Sequence, residues 1–396
     1  MQLVAYGAQD VYLTGNPKVT FFQAVYKRHT NFAMETIEQT VNGSATSGGR
    51  VSVTVARNGD LVGDMFIEAT TSATADANSN CWIAERIVAD VELSIGGQRI
   101  DKHYQKWWRL YSELYLEEGK KANWAKMTTM AGATAGKVYL PLIFFFNRNP
   151  GLYLPLIALQ YHEVRLDIDL ASDFADLFSS SLKVWANYVY LDTEERRRFA
   201  QKGHEYLIEQ VQHTGVDAVE GNGTKQVRLS YNHPVKELVW CIANSTSNAN
   251  VSSWNFTTDD TPVLELECPD SRPHLTGVPR IDVGTNWTEE RAGPLSTFKL
   301  ILNGQDRFKE QPGKYFNQVQ PYCHHSGTAC PGIYSYSFAL KPEEHQPTGT
   351  CNFSRIDNAQ AEVTTGSADN TSLNMFAVNY NVLRIQSGMG GLAFSN

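Results

Sequence analysis

Long apolar runs, a secretory leader and a surplus of positive charge are all missing from this 396-residue sequence. The most apolar window, residues 138–146, spans nine residues, whereas a helix that crosses a membrane needs about twenty. No basic segment followed by an apolar stretch opens the chain, and Gln9 and Asp10 interrupt its first residues. These absences lead us to expect a soluble protein that is made in the cytosol.

The balance of charge and the small number of cysteines argue against two further classes of protein. The chain carries 42 acidic side chains against 34 Lys and Arg, which gives a net charge of −8. A protein that coats nucleic acid needs a surplus of Lys and Arg to neutralise phosphates, so we expect no direct nucleic-acid partner. Six cysteines are too few for a disulfide framework in a chain of this length, and we expect free thiols.

Short motifs that carry catalytic or phosphate-binding chemistry are also missing. The sequence has no Walker loop, no Gly-rich dinucleotide fingerprint, no HExxH zinc helix and no GxSxG nucleophile turn. Cys323, His324, His325 and Cys330 place four possible metal ligands within eight residues, but zinc motifs usually combine two distant pairs. A turn after Pro321 explains the same segment, so we predict no metal site and no cofactor.

Three carboxylates near one predicted strand offer a possible acid–base pair. Glu163 precedes a strand predicted over residues 164–170, and Asp167 and Asp169 lie on one face of it. Two carboxylates can act as general acid and base, but this spacing also describes an ordinary solvated sheet surface, and we predict no catalytic residues. The alternative from another class is a carbohydrate-binding or carbohydrate-active β-sandwich protein, since aromatic and acidic residues also suit sugar recognition.

Period-two patterns dominate the chain and predict strands. Val51, Val53 and Val55 alternate with polar residues, and similar short segments recur between turns rich in Gly, Pro and Asn. Between residues 101 and 118, aromatic and leucine side chains instead recur every three or four residues, which predicts one amphipathic helix used for packing. Many short strands with a single helix indicate β-sandwiches, of which the eight-stranded jelly roll tolerates long loops at its ends.

An internal repeat divides the chain. Five pairs of short segments keep the same order in the two halves: residues 36–39 and 207–210, 53–58 and 227–232, 93–98 and 300–305, 138–139 and 333–334, and 186–191 and 378–383. A period near two hundred residues indicates a duplicated domain, because solenoid units are only about 20–50 residues long. We predict an amino-terminal arm over residues 1–28, a first domain over 29–192, a linker over 193–204 and a second domain over 205–396.

Stretches spread over the whole chain carry a resemblance to a known family. The first, LVAYGAQDVYLTGNP at residues 3–17, continues as TFF and YKRHTNF at 20–22 and 26–32; the others are residues 90–93 with 95–104, 141–147, 159–164, 349–358, and 379–385 with 387–393. They resemble the major capsid proteins of large icosahedral double-stranded DNA viruses, in particular those that infect algae.

The resemblance implies an all-β fold of two consecutive eight-stranded antiparallel jelly rolls, with one short helical insertion in the first, and a tight homotrimer. Three chains with two similar domains present six similar blocks, so a threefold capsomer can occupy hexagonal positions in a closed shell. The implied function is that of a non-enzymatic capsid subunit in the outer shell of the virion, assembled in the host cytoplasm. A minor capsid paralogue at special lattice positions stays open, because the loops at 244–294 and 366–374 differ from those of longer members.

The resemblance also implies partners for the arm. It would lie toward minor capsid proteins beneath the shell, with the inner membrane involved only indirectly, and its aromatic residues Phe21, Phe22 and Tyr26 are expected to contact neighbours. We expect an isolated monomer to be unstable and to expose an apolar flank at this arm or around the helix at residues 107–115.

Covalent glycans are the remaining implied addition, since family members from algal viruses carry them on outer loops. Formal Asn-x-Ser/Thr sequons occur at Asn42, Asn222, Asn244, Asn250, Asn255, Asn286, Asn352 and Asn370. We take Asn286, Asn370, Asn255 and Asn250 as the glycosylation candidates.

Overall fold

Strands form most of the regular structure in the computed structural model, which describes residue 5 and residues 7–72, 82–129, 135–244, 256, 293–327, 329 and 331–394. In the first half the strands are β1 Phe32–Gln39, β2 Val41–Asn42, β3 Arg50–Thr54, β4 Leu61–Thr71, β5 Val88–Ile95, β6 Gln98–Tyr104, β7 Lys137–Pro141, β8 Leu154–Pro155, β9 Val164–Leu170 and β10 Phe178–Leu191. In the second half they are β11 His204–Ala218, β12 Thr224–Arg228, β13 Pro234–Asn244, β14 Leu295–Leu302, β15 Gln305–Asp306, β16 Gln311–Pro312, β17 Ile333–Ser337, β18 Cys351–Asn352, β19 Ala359–Thr365, β20 Asn370–Gln386 and β21 Met389–Leu392.

Helices are short and lie between the strands. The α-helices are α1 Asp10–Thr14, α2 Gln105–Leu114, α3 Glu118–Thr128, α4 Phe145–Arg148, α5 Phe174–Leu177, α6 Thr193–Gln201 and α7 Gln320–His324. Single 3₁₀ turns occur at Ile83–Arg86, Pro150–Leu152 and Phe353–Arg355, and a π-helical turn at Tyr315–Val319 leads into α7. Within the described ranges no helix is both long and apolar enough to cross a membrane.

The strands form four antiparallel sheets, two in each half of the chain. Sheet 1A has the order β1-β10-β4-β7 and sheet 1B the order β2-β3-β9-β5-β6. Sheet 2A has the order β11-β20-β13-β17 and sheet 2B the order β12-β19-β14-β15. Eight strands of each half occupy equivalent places in the sheets and come in the same order along the chain, and the remaining short strands are additions to them. Each half is therefore a jelly roll built on eight strands, and the predicted fold class is confirmed. The predicted limits of 29–192 and 205–396 remain a prediction, with α6 in the segment between the two rolls.

The repeated segments lie on equivalent elements of the two jelly rolls. Residues 36–39 and 207–210 lie on the edge strands β1 and β11, and residues 186–191 and 378–383 lie on their neighbours β10 and β20. Residues 93–98 and 300–305 run from one strand of sheet 1B or 2B around a tight turn into the next. The two copies have nevertheless drifted apart in pairing. In the first half Ile37 lies opposite Ala186. The repeat aligns Ile37 with Ile208 and Ala186 with Val378, but Ile208 lies opposite Asn381, which is three positions beyond Val378.

The same turn chemistry closes the equivalent hairpins. Gly96 and Gly97 between β5 and β6 have φ angles of 59° and 81°, and Asn303 and Gly304 between β14 and β15 have φ angles of 52° and 77°. A two-residue hairpin loop of this kind needs positive φ at both central positions, which Gly and Asn adopt most readily. A side chain at Gly96 would also collide with the ring of His162, which a Cβ would approach to 2.3 Å.

The helical insertion differs from its prediction in where it begins and in how many helices it holds. Residues 101–104 belong to β6, where they pair with β5, so the helix starts at Gln105. A second helix, α3, follows where one helix was expected. The apolar window at residues 138–146 is divided between β7, which ends at Pro141, and α4, which spans Phe145–Arg148. Short apolar runs do not distinguish a buried strand from a buried helix, which accounts for these differences.

Candidate assembly surfaces

The amino-terminal arm lies away from both jelly rolls. Phe21, Phe22 and Tyr26 are 89%, 101% and 91% exposed, and α1 buries none of its residues. The hydrogen bonds of the arm include Gly7 N–H to Asp10 Oδ2 at 2.6 Å, which stays within the arm. A run of exposed aromatic side chains at one end of a chain is typical of a segment that another chain covers. Contact of these three residues with neighbours remains a prediction.

Helix α2 packs against the outer face of sheet 2A and joins the two jelly rolls. Trp107 lies with its ring centroid 5.5 Å from that of Phe376 on β20. Along β13, Leu238 and Trp240 point into the core of the second jelly roll, while Val239 belongs to the apolar cluster that contains α2. Sheet 2A is therefore buried on both faces within one chain.

This packing decides between two earlier expectations for the aromatic helix. Trp107 is 2% exposed and Trp108, Leu110 and Leu114 are 0% exposed. The packing role predicted for the helix is therefore the role it has. The expectation that residues 107–115 form an exposed flank of the lone chain is wrong, because the second jelly roll of the same chain already covers them.

Strand β6 of the first jelly roll also covers the edge strand β11 of the second. The side-chain amide of Gln210 donates a hydrogen bond to the carbonyl oxygen of Ile100. The backbone N–H of Val211 donates to Asp101 Oδ1 at 3.0 Å. An open sheet edge invites pairing with other chains, and side chains of β6 and β11 cover this one.

A buried group of charges centred on Glu209 crosses the junction between the jelly rolls. Glu209 Oε2 lies 3.0 Å from Arg148 Nη2 on α4, and Glu209 Oε1 lies 2.8 Å from Lys236 Nζ on β13. Glu209 is 4% exposed and Lys236 is 0% exposed. Burial by itself would raise the pKa of Glu209, but the two cations outweigh it and hold that pKa far below its usual range. The carboxylate is therefore ionised, and its cations come from both jelly rolls.

A histidine between two carboxylates extends this group. Nε2 of His325 donates to Glu237 Oε1, and Nδ1 donates to Glu343 Oε1 at 3.2 Å. The hydroxyl of Tyr115, from the first jelly roll, donates to the other oxygen of Glu237. Burial would lower the pKa of His325, but the two carboxylates outweigh it and raise the pKa to about 9. His325 is therefore a cation at neutral pH, with both ring nitrogens engaged.

The segment considered for metal binding thus has a structural explanation. His325 has carboxylate partners at both nitrogens, Cys323 is exposed, and Cys330 lies outside the described residues. His324 Nδ1 bonds to the carbonyl oxygen of Leu340 at 3.1 Å. Within the described ranges no group of three or more His, Cys, Asp or Glu side chains is arranged to hold a metal ion.

The carboxylates considered as an acid–base pair lie in ion pairs on sheet 1B. Asp169 receives two bonds from the guanidinium of Arg50, at 2.5 and 2.6 Å, and these lower the pKa of Asp169. Arg165 Nη2 lies 2.7 Å from Asp167 Oδ1. Glu163 is exposed at the start of the strand. Paired carboxylates on an open sheet are a solvated surface, as the second interpretation of their spacing stated.

The outer face of sheet 1A carries an aromatic depression with acidic residues. Trp185 on β10 lies directly opposite Phe66 on β4, and their ring centroids are 6.5 Å apart. Tyr139 on β7 meets Phe66 edge to face at 5.9 Å. These rings, with Asp64 and Glu68, line an open depression of about 620 Å³. The outer face of sheet 1A thus exposes aromatic and acidic side chains, whereas the outer face of sheet 2A buries such side chains against the first jelly roll.

A second exposed apolar surface, called here the α7 surface, consists of Val319, Tyr322 and Leu340. These side chains are 43%, 88% and 73% exposed. The bond between His324 on α7 and the carbonyl oxygen of Leu340 holds the two segments together. The sequence does not indicate this surface, because three apolar residues spaced along a polar segment form no periodic pattern.

One glycosylation candidate, Asn370, has a buried side chain. Asn370 is 0% exposed, its amide nitrogen donates to the carbonyl oxygen of Ile242 at 3.0 Å, and its amide oxygen accepts from Ser367. A glycan attaches through the amide nitrogen, which in Asn370 is buried and engaged, and this argues against Asn370 as an attachment site. Asn250, Asn255 and Asn286 lie outside the described residues.

The buried charges at the junction were missed by the sequence analysis. Their members come from distant positions, with Arg148 in α4, Glu209 in β11 and His325 beyond α7. A signal was nevertheless present, since Lys236 and Glu237 interrupt a strand that is otherwise apolar. Adjacent charges inside such a strand indicate buried partners, because an unpaired charge is very costly to bury.

Two family models match consecutive parts of the chain. The model described as "Major capsid protein N-terminus" matches residues 20–192. The model described as "Large eukaryotic DNA virus major capsid protein" matches residues 195–391. The first match covers sheets 1A and 1B, and the second covers most of sheets 2A and 2B.

Relatives extend this match over the whole length of the chain. The major capsid protein of Paramecium bursaria Chlorella virus 1 is 45% identical over 445 aligned residues, which cover 100% of this chain and 99% of the relative. The major capsid protein of Pyramimonas orientalis virus is 43% identical, with the same two coverages. A quasi-atomic model of the PBCV-1 virus capsid has a TM-score of 0.80 at 42% identity, over 95% of this chain and 100% of that one.

These relatives are structural proteins and not enzymes, which removes the carbohydrate-active alternative. Faustovirus major capsid protein, at 13% identity and a TM-score of 0.72, shares the fold. With two family models covering both jelly rolls and relatives above 40% identity over its full length, the chain belongs to the major capsid proteins of large eukaryotic DNA viruses and is a structural subunit of the virion's capsid shell.

Proposed function

We propose that three copies of this chain form a capsomer with a pseudo-hexagonal outline, and that these trimers tile the outer icosahedral shell. The observation that carries the proposal is the presence of two jelly rolls with the same strand order in one chain. Three such chains arranged around a threefold axis supply six similar blocks, which fit a position with six neighbours. Identity above 40% to major capsid proteins over the full length favours the abundant subunit over a minor paralogue.

The exposed surfaces support association of the chain with others. Phe21, Phe22 and Tyr26 are almost fully exposed, as is Tyr322 of the α7 surface. Apolar side chains grouped on the surface of a soluble chain commonly mark an interface. We assign the arm to neighbouring capsomers and to minor capsid proteins beneath the shell, with assembly in the host cytoplasm.

The segment of the chain between β13 and β14 is the proposed place for glycans. Asn250, Asn255 and Asn286 lie between β13 and β14, in a segment rich in Asn, Ser and Thr. Long polar connections of this kind run over protein surfaces, where an asparagine is accessible to modification.

Native and denaturing mass spectrometry of the purified protein tests both proposals. A native mass three times that of the denatured subunit supports the trimer, and the bare chain has a mass of 44.2 kDa. Subunits heavier than this by sugar-sized increments support the glycans. A native mass equal to one subunit at micromolar concentration contradicts the trimer, whatever the glycan content.

A further inference from the structure

Each chain already contains one complete example of a contact between two jelly rolls. The donor side is α2, which follows β6 in the first jelly roll, and the acceptor side is the outer face of sheet 2A. On that face Val239 of β13 lies opposite Phe376 of β20, and Trp107 packs over Phe376. Two positions before Val239, Glu237 accepts a hydrogen bond from Tyr115 at 2.5 Å. At α2 the contact therefore combines aromatic packing with a tyrosine-to-carboxylate bond, beside the ion pairs of Glu209.

The first jelly roll carries similar acceptor features on the equivalent strands of its sheet, and their side chains are partly exposed. Phe66 of β4 lies opposite Trp185 of β10, and both side chains are partly exposed around the depression of about 620 Å³. Asp64 lies two positions before Phe66 on β4, as Glu237 lies two positions before Val239 on β13. The bonds that Asp64 Oδ2 accepts, from Tyr153 and Asn187, are both 3.5 Å long. A stronger donor at Asp64 would complete this face as Tyr115 completes the other.

The second jelly roll carries the matching donor element. The π-helical turn and α7 lie between β15 and β17, as α2 and α3 lie between β6 and β7. Tyr322 on α7 is 88% exposed, with Val319 and Leu340 beside it in the α7 surface. The chain thus presents one unused donor element and one unused acceptor face.

The edge strands show the same asymmetry. In the second jelly roll β11 is covered by β6, through the bonds of Gln210 and Val211. In the first jelly roll the corresponding edge strand β1 is open, with Phe32 and Met34 53% and 51% exposed. A second copy that covered sheet 1A as α2 and β6 cover sheet 2A would also bring its own β15 toward β1.

We propose that the α7 surface of one copy docks on the outer face of sheet 1A of a second copy, where Tyr322 enters the depression and its hydroxyl donates to Asp64. The proposal rests on the trimer proposed above and names its contact. The interface is heterologous, because two different surfaces meet, and such contacts form a ring when the rotation between copies closes. After three steps every α7 surface and every sheet 1A face is covered, and all six junctions share aromatic packing and a tyrosine-to-carboxylate bond.

Substitution of Tyr322 tests the docking without disturbing the fold of the subunit. Tyr322→Asp places a charge in the aromatic depression next to Asp64, and we expect the dissociation constant of the trimer to rise at least about tenfold, as for a central interface residue. Tyr161→Asp is the matched control, because Tyr161 is 75% exposed and lies beside Gly388, outside the proposed contact. Native mass spectrometry reports the oligomer, and circular dichroism reports whether the subunit is folded.

The outcomes separate the docking from the trimer itself. A trimeric wild type and Tyr161→Asp variant, with a folded and dissociated Tyr322→Asp variant, supports the docking. A Tyr322→Asp variant that stays trimeric with an unchanged dissociation constant overturns the docking and leaves the trimer standing. A monomeric wild type overturns the proposed trimer and the docking with it.

A photocross-link supplies a second measurement that does not depend on a destabilised interface. p-Benzoylphenylalanine replaces Tyr322 in unlabelled protein, which is mixed with ¹⁵N-labelled wild type before irradiation. We expect cross-links to labelled peptides that contain Asp64 to Phe66, Tyr139 or Trp185. Cross-links confined to other labelled peptides contradict the docking, and the same probe at position 161 is the control.

Discussion

Tyr115 of the first jelly roll donates its phenolic hydrogen to Glu237 of the second, over a distance of 2.5 Å. Glu237 is fully buried and accepts a second bond from protonated His325 on its other oxygen. The two jelly rolls are thus joined by charged and polar groups as well as by the apolar packing of α2. Because such groups are costly to bury without partners, the junction favours one relative placement of the two domains.

Removal of the Tyr115 hydroxyl is expected to lower stability. Tyr115→Phe leaves one oxygen of the buried Glu237 without that donor, which costs about 1–3 kcal/mol of unfolding free energy. Thermal unfolding at fixed protein concentration measures the loss. Tyr190→Phe is the control, since its hydroxyl bonds Glu35 at an exposed site and its removal is expected to change little. Equal losses in the two variants would contradict a special role for the junction.

The stability of the protein is expected to fall at alkaline pH through His325. Its pKa in the folded chain is about 9, against 6.5 for an ordinary histidine. A raised pKa means that the folded state holds the proton more tightly, so the stabilisation is complete below about pH 6.5 and is lost as pH rises through about 9. The groups that face the ring are Glu237, Glu343 and Tyr115.

Melting temperatures across this pH window measure the effect. The wild type is expected to lose stability on the order of a few kcal/mol between the two pH values. His325→Gln should be less stable at neutral pH and should show a flatter dependence on pH. His29→Gln, which alters an exposed histidine directly after the arm, should keep the wild-type dependence. If the melting temperature of His325→Gln fell with pH as steeply as that of the wild type, the pH dependence would belong to other groups.

The aromatic residues of the arm are expected to matter for the shell and not for the subunit. A triple Ser variant of Phe21, Phe22 and Tyr26 should unfold within about 0.5 kcal/mol of the wild type, because none of the three is buried. Its incorporation into virions during infection, quantified by mass spectrometry, should decrease. Val216→Ser changes another exposed apolar residue and serves as the control. Incorporation of the triple variant at the wild-type level would contradict contacts of these three arm residues with neighbouring proteins in the shell.

Asn370 is expected to carry no glycan in protein taken from virions. Its amide is buried and bonded to Ile242 and Ser367, and peptide mapping should find the residue unmodified. Asn370→Ala should cost about 1–3 kcal/mol of stability because Ile242 loses a buried donor. Asn42→Ala, at an exposed sequon, should cost little. A sugar found at Asn370 would require β20 to open at its start.

Local sequence patterns predict much of the architecture. The alternation of Val51 and Val53 predicts β3, and the repeated hairpins at Gly96–Gly97 and Asn303–Gly304 reveal the duplication. Local patterns do not give the boundaries of the helical insertion, because residues 101–104 form a strand through their pairing with β5. Which surface covers α2 is also a property of the whole fold, since its partner Phe376 lies in the last long strand.

The assembly surfaces also include one that the sequence indicates and one that only the fold reveals. Phe21, Phe22 and Tyr26 stand out in the sequence because they cluster in a short segment between turns. The depression on sheet 1A brings together Phe66, Tyr139 and Trp185 from three separate strands. No spacing along the chain relates these residues, and their common function becomes visible only once the strands are paired.

The position of the buried charges shows which kinds of contact form when one chain folds and which form when chains associate. Glu209, Arg148 and Lys236 meet where two domains of a single polypeptide touch. The tether between those domains supplies a high effective concentration that no dilution can lower. The docking face of sheet 1A, which must meet its partner by diffusion, displays aromatic rings beside the two carboxylates of Asp64 and Glu68. The junction that buries a whole group of ions thus forms in a unimolecular step, whereas the step that depends on concentration relies mainly on aromatic side chains, which lose their water at a lower free-energy cost.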